Sequence, residues 1–290
     1  MKEIKLGGVQ FTTSIEFEDF YIILNFGGEG GGKTRFPLTG PEIVGFLPLE
    51  RKSYATLEKD SKDLGRRILL PKDPEALITN PRKAGLLSAP ANNTEKAKDE
   101  ANNKVRAYYR EYVNKIMDAT YAMLEQGDVR LVVIDTFTKL CTIIDSSLYG
   151  FQDKFIKVQG QLYKDRREYR QEIIDFMNSL SVYKKHVILN HTQKDEYGKA
   201  GPTGRKIWDG FAQLAHYCKI VVHSETNPKW DPNSNVEEKQ WHYAMSVRSC
   251  QDNPMLEGPD GYRFLKDEEI SFPLLVMNVN PDADPDELGV

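Results

Sequence analysis

The chain has 290 residues, 40% of them hydrophobic, and a formal net charge of −4. It is long enough for one large α/β domain or two small ones, and its charge excludes a globally basic protein that coats nucleic acid. No apolar stretch reaches the length of a membrane span, and the first residues, MKEIKLGG, lack the apolar core of a signal peptide. The three cysteines are scattered, so we expect reduced thiols and a cytoplasmic location.

The first predicted element is a buried strand over Phe20–Phe26, a continuous apolar and aromatic run. It is followed directly by Gly27, Gly28, Glu29, Gly30, Gly31, Gly32, Lys33 and Thr34. This sequence fits G-x-x-x-x-G-K-[ST], the phosphate-binding loop (P-loop) of P-loop NTPases. Its glycines let backbone N–H groups surround an anion, while Lys33 would reach the β- and γ-phosphates and Thr34 would place a hydroxyl on Mg²⁺. The motif predicts a site for ATP and Mg²⁺; a glycine linker, the alternative, is disfavoured by the strand in front.

A helix is expected after the P-loop, where its N-terminus would add partial positive charge, although Pro37 fits only a very short helix. The next predicted strand covers Ile43–Leu49 and leads into Glu50. Because parallel strands end at the same edge of a sheet, we expect Glu50 close to the phosphates. Its carboxylate would orient or deprotonate the attacking water. The alternative is an ordinary solvated acid at the start of a charged run.

The segment that follows changes in character. A short strand is predicted at Arg67–Leu70. Residues 72–104 are rich in Pro, Asn, Lys and Asp, which predicts a surface insertion that is partly flexible. Apolar residues recur at helical spacing over residues 105–126, which predicts a helix there.

The predicted strand Val129–Asp135 ends in an acid after four apolar residues. This is the shape of a Walker B strand, which delivers a carboxylate to the metal at the edge of the sheet. Thr136 follows where many P-loop ATPases have a catalytic glutamate. The base must then come from another strand, and Glu50 is the candidate.

A helix is predicted over Arg167–Leu180 and a strand over His186–Asn190. The remaining predicted elements are strands at Cys218–His223, Trp241–Arg248 and Ser271–Val279, followed by an acidic flexible tail over residues 281–290. His216, Cys218 and His223 lack the spacing of a tetrahedral zinc site.

Taken in order, four motifs resemble those of the RecA-like ATPase core. They are the P-loop with an acid at its third position, Leu47-x-Leu49-Glu50, Val132–Thr136 and Ile188–His191. More specifically, the chain resembles the short RecA-like recombination ATPases encoded by bacteriophages. The resemblance implies one ATPase core over residues 1–280, an α/β RecA-like P-loop NTPase with a mostly parallel twisted central sheet flanked by helices.

The resemblance also implies roles for single residues. The implied catalytic residues are Lys33, Glu50, His191 and Arg248. Thr34 and Asp135 would belong to the magnesium site. His191 is similar to the γ-phosphate sensor, unless it is an ordinary hydrogen-bonded histidine at a strand end. Arg248 would reach a neighbouring subunit's γ-phosphate as an arginine finger, unless it is a surface residue.

In RecA-like recombinases the loop after the sensor strand contacts single-stranded DNA. Here that loop is Thr192–Gly210, which is glycine-containing and cationic. Its candidate DNA-binding residues are Lys194, Lys199, Arg205, Lys206 and Trp208. A solvated mobile loop is the alternative. The region Ser146–Arg170 has the place of the first DNA loop, and its aromatic residues suit either a core or a stacking surface.

The sequence therefore predicts a Mg²⁺-dependent ATPase coupled to single-stranded DNA binding in phage-type recombination, repair or replication. Such a protein would act in the cytoplasm, that of the host if phage-encoded, as a homo-oligomeric ring or filament, without a membrane. A single-strand-binding protein is a further expected partner. Two alternatives stay open: a helicase-like motor or loader on duplex DNA or protein, and a nucleotide-gated scaffold with little turnover.

Overall fold

The computed structural model describes residues 4–6, 9–11, 20–86, 94–151, 155–159, 161–198, 201–226, 243–257, 263–264 and 270–288. The strands are β1 (Ile4–Leu6), β2 (Val9–Phe11), β3 (Ile22–Gly27), β4 (Ile43–Pro48), β5 (Arg67–Leu69), β6 (Leu131–Asp135), β7 (Phe155–Val158), β8 (Gln161–Lys164), β9 (His186–Gly198), β10 (Gly201–Trp208), β11 (Ile220–Thr226), β12 (Tyr243–Cys250) and β13 (Arg263–Phe264). The α-helices are α1 (Arg51–Leu64), α2 (Glu95–Glu125), α3 (Phe137–Tyr149), α4 (Arg167–Ser181), α5 (Phe272–Val279) and α6 (Pro285–Leu288).

The central sheet is mostly parallel. Its strand order is β13-β12-β11-β3-β9-β6-β4-β5, and β10 pairs only with β9. The six strands from β11 to β5 run parallel, while β12 and β13 are antiparallel to their neighbours. The carboxyl ends of β3, β9 and β6 consequently lie side by side, which places Asn190 in register with both Asn25 and Asp135.

Helices cover both faces of this sheet because its strands are buried on both sides. Alternate residues of β3 show the division: Leu24 and Phe26 pack with α2, α3 and α4, whereas Ile23 packs with α1 and α5. The prediction of an α/β fold with a mostly parallel central sheet flanked by helices is confirmed. No helix among the described residues combines the length and the apolar composition needed to cross a membrane.

Two predicted elements take a different form. The segment after the P-loop is a 3-10 helix over Phe36–Thr39 in place of an α-helix, since Pro37 at its second position has no N–H to donate. The predicted strand Ser271–Val279 is wrong: this segment is helix α5, whose first turn is capped by the Ser271 side chain accepting from Leu274 N. Short apolar runs do not distinguish strand from helix by periodicity.

Two segments predicted to be flexible contain packed residues. Helix α2 begins at Glu95, ten residues before its predicted start, because the Thr94 side chain caps it. Within the predicted insertion, Asn102 is buried and donates to Tyr149 O. The acidic tail is not simply flexible either, since α6 carries Leu288, which is 2% exposed within the apolar cluster beneath α5.

The predicted DNA-binding loop Thr192–Gly210 is a β-hairpin over most of its length. Strand β9 continues past the sheet and pairs antiparallel with β10, with Gln193 opposite Trp208 and Gly198 opposite Gly201. The sequence shows glycines and charged residues there. Polar and apolar residues alternate only weakly along the two strands, so the sequence did not indicate that they pair.

Two of the buried histidines, His186 and His191, lie on β9. His186 accepts a hydrogen bond from Tyr21 N at 3.1 Å, and His191 is fully buried beside Phe137. Burial lowers the pKa of both imidazoles to about 4, with Arg130 adding to the effect at His186 and Lys194 adding to it at His191. Both side chains are therefore neutral in the folded protein at neutral pH.

Acid is expected to destabilise the fold through these two residues. Below pH ~6.5 the unfolded chain binds protons that the folded chain excludes, so each histidine removes up to about 1.4 kcal/mol of unfolding free energy per pH unit until pH approaches 4. Urea unfolding at pH 7, 6 and 5 measures this slope. His186→Gln and His191→Gln should each flatten it, and His216→Gln, at an exposed position, should not. Equal slopes in all four proteins would contradict the assignment.

Candidate nucleotide-binding site

The P-loop connects β3 to the 3-10 helix, and its conformation depends on glycine. Gly30 and Gly32 have positive φ angles of 76° and 82°, a region that glycine adopts without steric cost. A Cβ atom on Gly27 would lie 1.9 Å from Ser224 O on β11. The loop therefore approaches the neighbouring strand more closely than any side chain permits.

Lys33 reaches back across its own loop. Its Nζ atom donates to Gly27 O at 2.8 Å and to Gly28 O at 2.5 Å. Burial lowers the pKa of the ammonium group, and the carboxylates of Asp135, Glu29 and Glu50 oppose that effect. An anionic ligand would stabilise the positive charge of this partly desolvated ammonium group. It would also compete with the two carbonyl groups as an acceptor of the hydrogen bonds that the ammonium donates.

Thr34 and Asp135 meet at the carboxyl edge of the sheet. Thr34 Oγ1 donates to Asp135 Oδ2 at 2.9 Å, and Asp135 is 2% exposed. Burial raises the pKa of the Asp135 carboxyl, whereas the Thr34 hydrogen bond and the Lys33 charge act in the opposite direction. A hydroxyl and a carboxylate this close are oxygen donors that fit Mg²⁺, whose positive charge would offset the cost of burying the carboxylate.

A buried polar cluster lies directly below the loop. Asn25 Nδ2 donates to Asn190 Oδ1 at 2.9 Å, and both amides contact Lys33 O at 3.3 Å. Ser224 Oγ donates to Asn25 Oδ1 at 2.7 Å. Three strands of the sheet thereby fix the backbone at the residue that carries the phosphate-binding ammonium group.

An open cavity of about 330 Å³ lies above the loop. Glu50 lines it from the N-terminus of α1, as expected for an acid after β4, and Asp135 lines it from β6. Glu29 and Lys52 form an exposed ion pair of 2.5 Å at its rim. The structure thus brings the predicted P-loop, base and metal residues into one cavity.

His191 does not line this cavity. Its Nδ1 atom lies 2.9 Å from Thr138 Oγ1 and 3.1 Å from Asp209 O, on the opposite face of β9 from Asn190 and Thr192. The prediction that its side chain reaches the γ-phosphate is corrected for this reason: strand alternation turns it towards α3. Thr192, the next residue, lines the cavity instead.

Arg248 is exposed on β12, and its Nη2 atom lies 3.0 Å from His223 Nδ1. Nothing in this arrangement tests a role across a subunit interface, so that role stays a prediction. The described part of the chain also holds no cluster of three or more His, Cys, Asp or Glu side chains suited to a metal ion.

The hairpin β9–β10 places the candidate DNA-binding residues in different surroundings. Lys194 pairs with Asp209 at 3.1 Å, Lys206 pairs with Asp195 at 2.5 Å, and Arg205 is exposed. Surface pairs of this kind are weak, so both lysines are available to phosphates. Lys199 lies outside the described residues.

Trp208 differs from the other candidates on the hairpin. It packs edge-on against Phe26 at 5.9 Å and donates from Nε1 to Phe211 O at 3.0 Å. Its prediction as a base-stacking residue is corrected, because these contacts tie the indole to the core.

In the region of the first DNA loop the structure separates two aromatic residues. Tyr149 is buried at the end of α3, whereas Phe151 is 57% exposed. One therefore belongs to the core, as the sequence allowed, and the other is available on the surface.

Sequence reasoning missed several residues of the site. Asn25 and Asn190 are polar residues in apolar strands, and that interruption was the signal that could have revealed the buried cluster. Tyr243 also lines the cavity, and its ring would contact a Cβ atom on Gly32 at 3.0 Å. Its sequence context did not indicate this, because β12 comes close to the loop only when the strands pair to form the sheet.

No protein-family model matches the sequence, and no curated protein has a significant match to it. Among solved structures, one similar chain is a KaiC-like protein from the hyperthermophilic archaeon Pyrococcus horikoshii OT3, with 12% identity, a TM-score of 0.32 and coverage of 85% of this chain and 83% of that one. Another is an ATPase from the type III secretion system of pathogenic bacteria, with 13% identity, a TM-score of 0.39 and coverage of 70% of this chain. This chain spans about half of the secretion ATPase, 51% of its length. The fold class stated above rests on the strand order, and the P-loop on its own geometry.

Lys33→Ala is expected to weaken ATP binding about 100-fold, because two charge-assisted hydrogen bonds to phosphate are lost in a partly buried site. Isothermal titration calorimetry with Mg²⁺-ATP measures the change. Lys62→Ala is the control, since the Lys62 side chain is exposed on α1 and pairs with Glu58 at 2.8 Å. Unchanged affinity in a folded Lys33 variant would remove the phosphate-binding assignment.

Proposed function

We propose that this protein is a Mg²⁺-dependent ATPase whose turnover is coupled to binding of single-stranded DNA. The observation that carries the ATPase part is the 2.9 Å contact between Thr34 Oγ1 and Asp135 Oδ2 at the mouth of the P-loop. It joins the two motifs that must cooperate on a metal-bound nucleotide, although 101 residues separate them in the chain.

The P-loop and three other residues or groups of the cavity have distinct tasks in this proposal. The P-loop N–H groups and Lys33 hold the phosphates, and Thr34 and Asp135 hold the metal ion. Mg²⁺ supplies charge neutralisation on the β- and γ-phosphate oxygens. Glu50 orients the attacking water and accepts its proton. Catalysis then comes mainly from positioning and charge stabilisation.

The DNA part of the proposal is supported by the hairpin that leaves the site. Thr192 lines the cavity, and β9 continues from it without interruption into the segment that carries Lys194. Two paired strands therefore connect the phosphate site to a surface with Arg205 and Lys206, through which a change at the phosphates would be transmitted. Backbone phosphates of a single strand are the ligand that such exposed cations suit.

The proposed cellular role extends the resemblance of the motifs described in the sequence. We propose action in phage-type recombination, repair or replication, in a cytoplasm, with subunits assembled in a ring or filament and with a single-strand-binding protein nearby. Two experimental outcomes would each favour one of the alternative functions instead. Nucleotide binding with negligible turnover favours the gated scaffold, and strand displacement on duplex DNA favours the helicase-like motor or loader.

Glu50→Gln should keep ATP binding and lower kcat about 100-fold or more, because an amide preserves the shape of the side chain but is a far poorer base. Phosphate release under saturating Mg²⁺-ATP, with and without single-stranded DNA, measures this effect. Glu58→Gln is the matched control, since Glu58 is exposed two turns further along α1 and contacts Lys62. Normal turnover in Glu50→Gln would place the base elsewhere.

The triple change Lys199→Ala, Arg205→Ala and Lys206→Ala should weaken DNA binding for all sequences alike. It should also flatten the dependence of log affinity on log salt by about 2, since roughly 0.7 counterions are released per neutralised phosphate of a single strand. Basal ATP hydrolysis should persist, and its stimulation by DNA should fall. Fluorescence anisotropy with oligonucleotides at several salt concentrations measures binding.

A control with the same loss of charge is Lys59→Ala, Lys62→Ala and Lys115→Ala. These lysines are exposed on α1 and α2, away from the hairpin. If both triple variants lose affinity equally, the effect is one of net charge and the hairpin is not the DNA site.

A further inference from the structure

One face of α1 carries a polar stripe that lines the nucleotide cavity. Ser53, Thr56 and Asp60 recur at helical spacing, which puts them on one side of the helix, and all three line the cavity. Ser53 and Asp60 are buried although they are polar. Because Glu50 directly precedes the same helix and also lines the cavity, the stripe leads away from the position of the proposed catalytic base.

Asp60 is the charged member of this stripe. It is 8% exposed, and its carboxylate has no hydrogen-bond or ion-pair partner in the part of the chain that the structure describes. Burial raises the pKa of the Asp60 carboxyl, whereas the charges of Arg35 and Lys59 act in the opposite direction without pairing with it. A partly desolvated carboxylate at a cavity wall is stabilised by an N–H or O–H donor, which a ligand in the cavity can supply.

The position of Asp60 along α1 determines which part of a nucleotide it meets. The Glu50 carboxylate acts electrostatically on both Lys33 and Asp135, so the terminal phosphate belongs at the Glu50 end of the helix. Asp60 lies ten positions after Glu50, which is a rise of about 15 Å along the helix axis. An extended nucleoside triphosphate covers a similar length from its γ-phosphate to the far edge of its base. The edge of the base therefore belongs at Asp60.

The chemistry of a carboxylate restricts which base edge it accepts. Adenine presents an exocyclic amino group, which donates hydrogen bonds, beside ring nitrogens that only accept them. An ionised carboxylate has acceptors only, so it complements the amino group and cannot bond to the ring nitrogens. A base without an amino group at that place would leave the buried carboxylate unpaired, which costs binding free energy.

We propose that Asp60 is a specificity-determining residue of the nucleotide site: its carboxylate accepts a hydrogen bond from the exocyclic amino group of the base of a bound nucleoside triphosphate. The inference rests on the proposed nucleotide-binding function and deepens it by assigning the recognition of the base. The P-loop contacts only phosphates, which all nucleoside triphosphates share. Selection among bases consequently has to come from side chains further along the cavity.

The test compares ATP with purine riboside 5′-triphosphate, which differs from ATP only by lacking the amino group. Calorimetry with Mg²⁺ should show that the wild-type protein binds ATP about tenfold more tightly than this analogue. Asp60→Ala should abolish the preference, weakening ATP about tenfold and the analogue less than about twofold. Asp60→Asn keeps an acceptor oxygen in a side chain of the same shape, so it should retain a preference for ATP of about threefold or more.

Asp63→Ala is the matched control, because Asp63 is exposed one turn further along the same helix and is not among the residues that line the cavity. It removes the same charge from α1, and both affinities should stay within about twofold of wild type. Equal loss of affinity for both nucleotides in Asp60→Ala would mean a general structural effect and overturn the inference. A wild-type protein that binds ATP and the analogue equally would also overturn it.

A third nucleotide, 2′-deoxy-ATP, separates recognition of the base from recognition of the ribose. If Asp60→Ala removed a preference for ATP over 2′-deoxy-ATP and left the preference over the purine analogue intact, the carboxylate would bind the ribose and the inference would be wrong. A preference for ATP that depends on Asp60, without release of phosphate, would refute the proposed turnover and leave the assignment of the base standing. A wild-type protein that binds none of the three nucleotides would refute both.

Discussion

The structure depends on keeping a charged and polar cluster inside an apolar sheet. Asp135 is almost fully buried, and it stays in a sheet of valine, isoleucine and leucine because Thr34 donates to it and Lys33 lies close by. Burial of an unpaired carboxylate would cost several kcal/mol, roughly as much as a small domain's net stability. The positions of β3, β6 and β9 relative to one another are therefore constrained by this contact as well as by packing.

The buried amides extend the same constraint to the loop. The amide groups of Asn25 and Asn190 both donate to Lys33 O, and these hydrogen bonds fix the backbone of the P-loop before any ligand binds. A site held in this way loses little conformational entropy on binding, which is the physical meaning of preorganisation. The glycines leave room for phosphate and the buried amides hold the loop, so both features preorganise the same site.

The hairpin β9–β10 connects this rigid centre to the surface. The base of the hairpin belongs to the core. His191 contacts Thr138 and Asp209, and Trp208 packs on Phe26. Its outer residues carry the cations. In the proposed function, the packed base transmits a change at the phosphates and the charged end binds DNA. The packing of His191 and Trp208 thus supports the coupling, although neither residue contacts the ligand that the sequence suggested for it.

The sequence by itself determined the P-loop, the strand that ends in Asp135 and the place of Glu50, because glycine spacing and apolar runs are local signals of backbone conformation and burial. It could not decide the form of Ser271–Val279, since a mostly apolar run of nine residues suits a strand or a helix until its partners are known. It also could not show that His191 packs towards α3 while Thr192 lines the cavity, or connect Arg248 to His223. Those outcomes depend on which face of β9 meets the loop and on the order of the strands, and both are set by pairing between residues far apart in the chain.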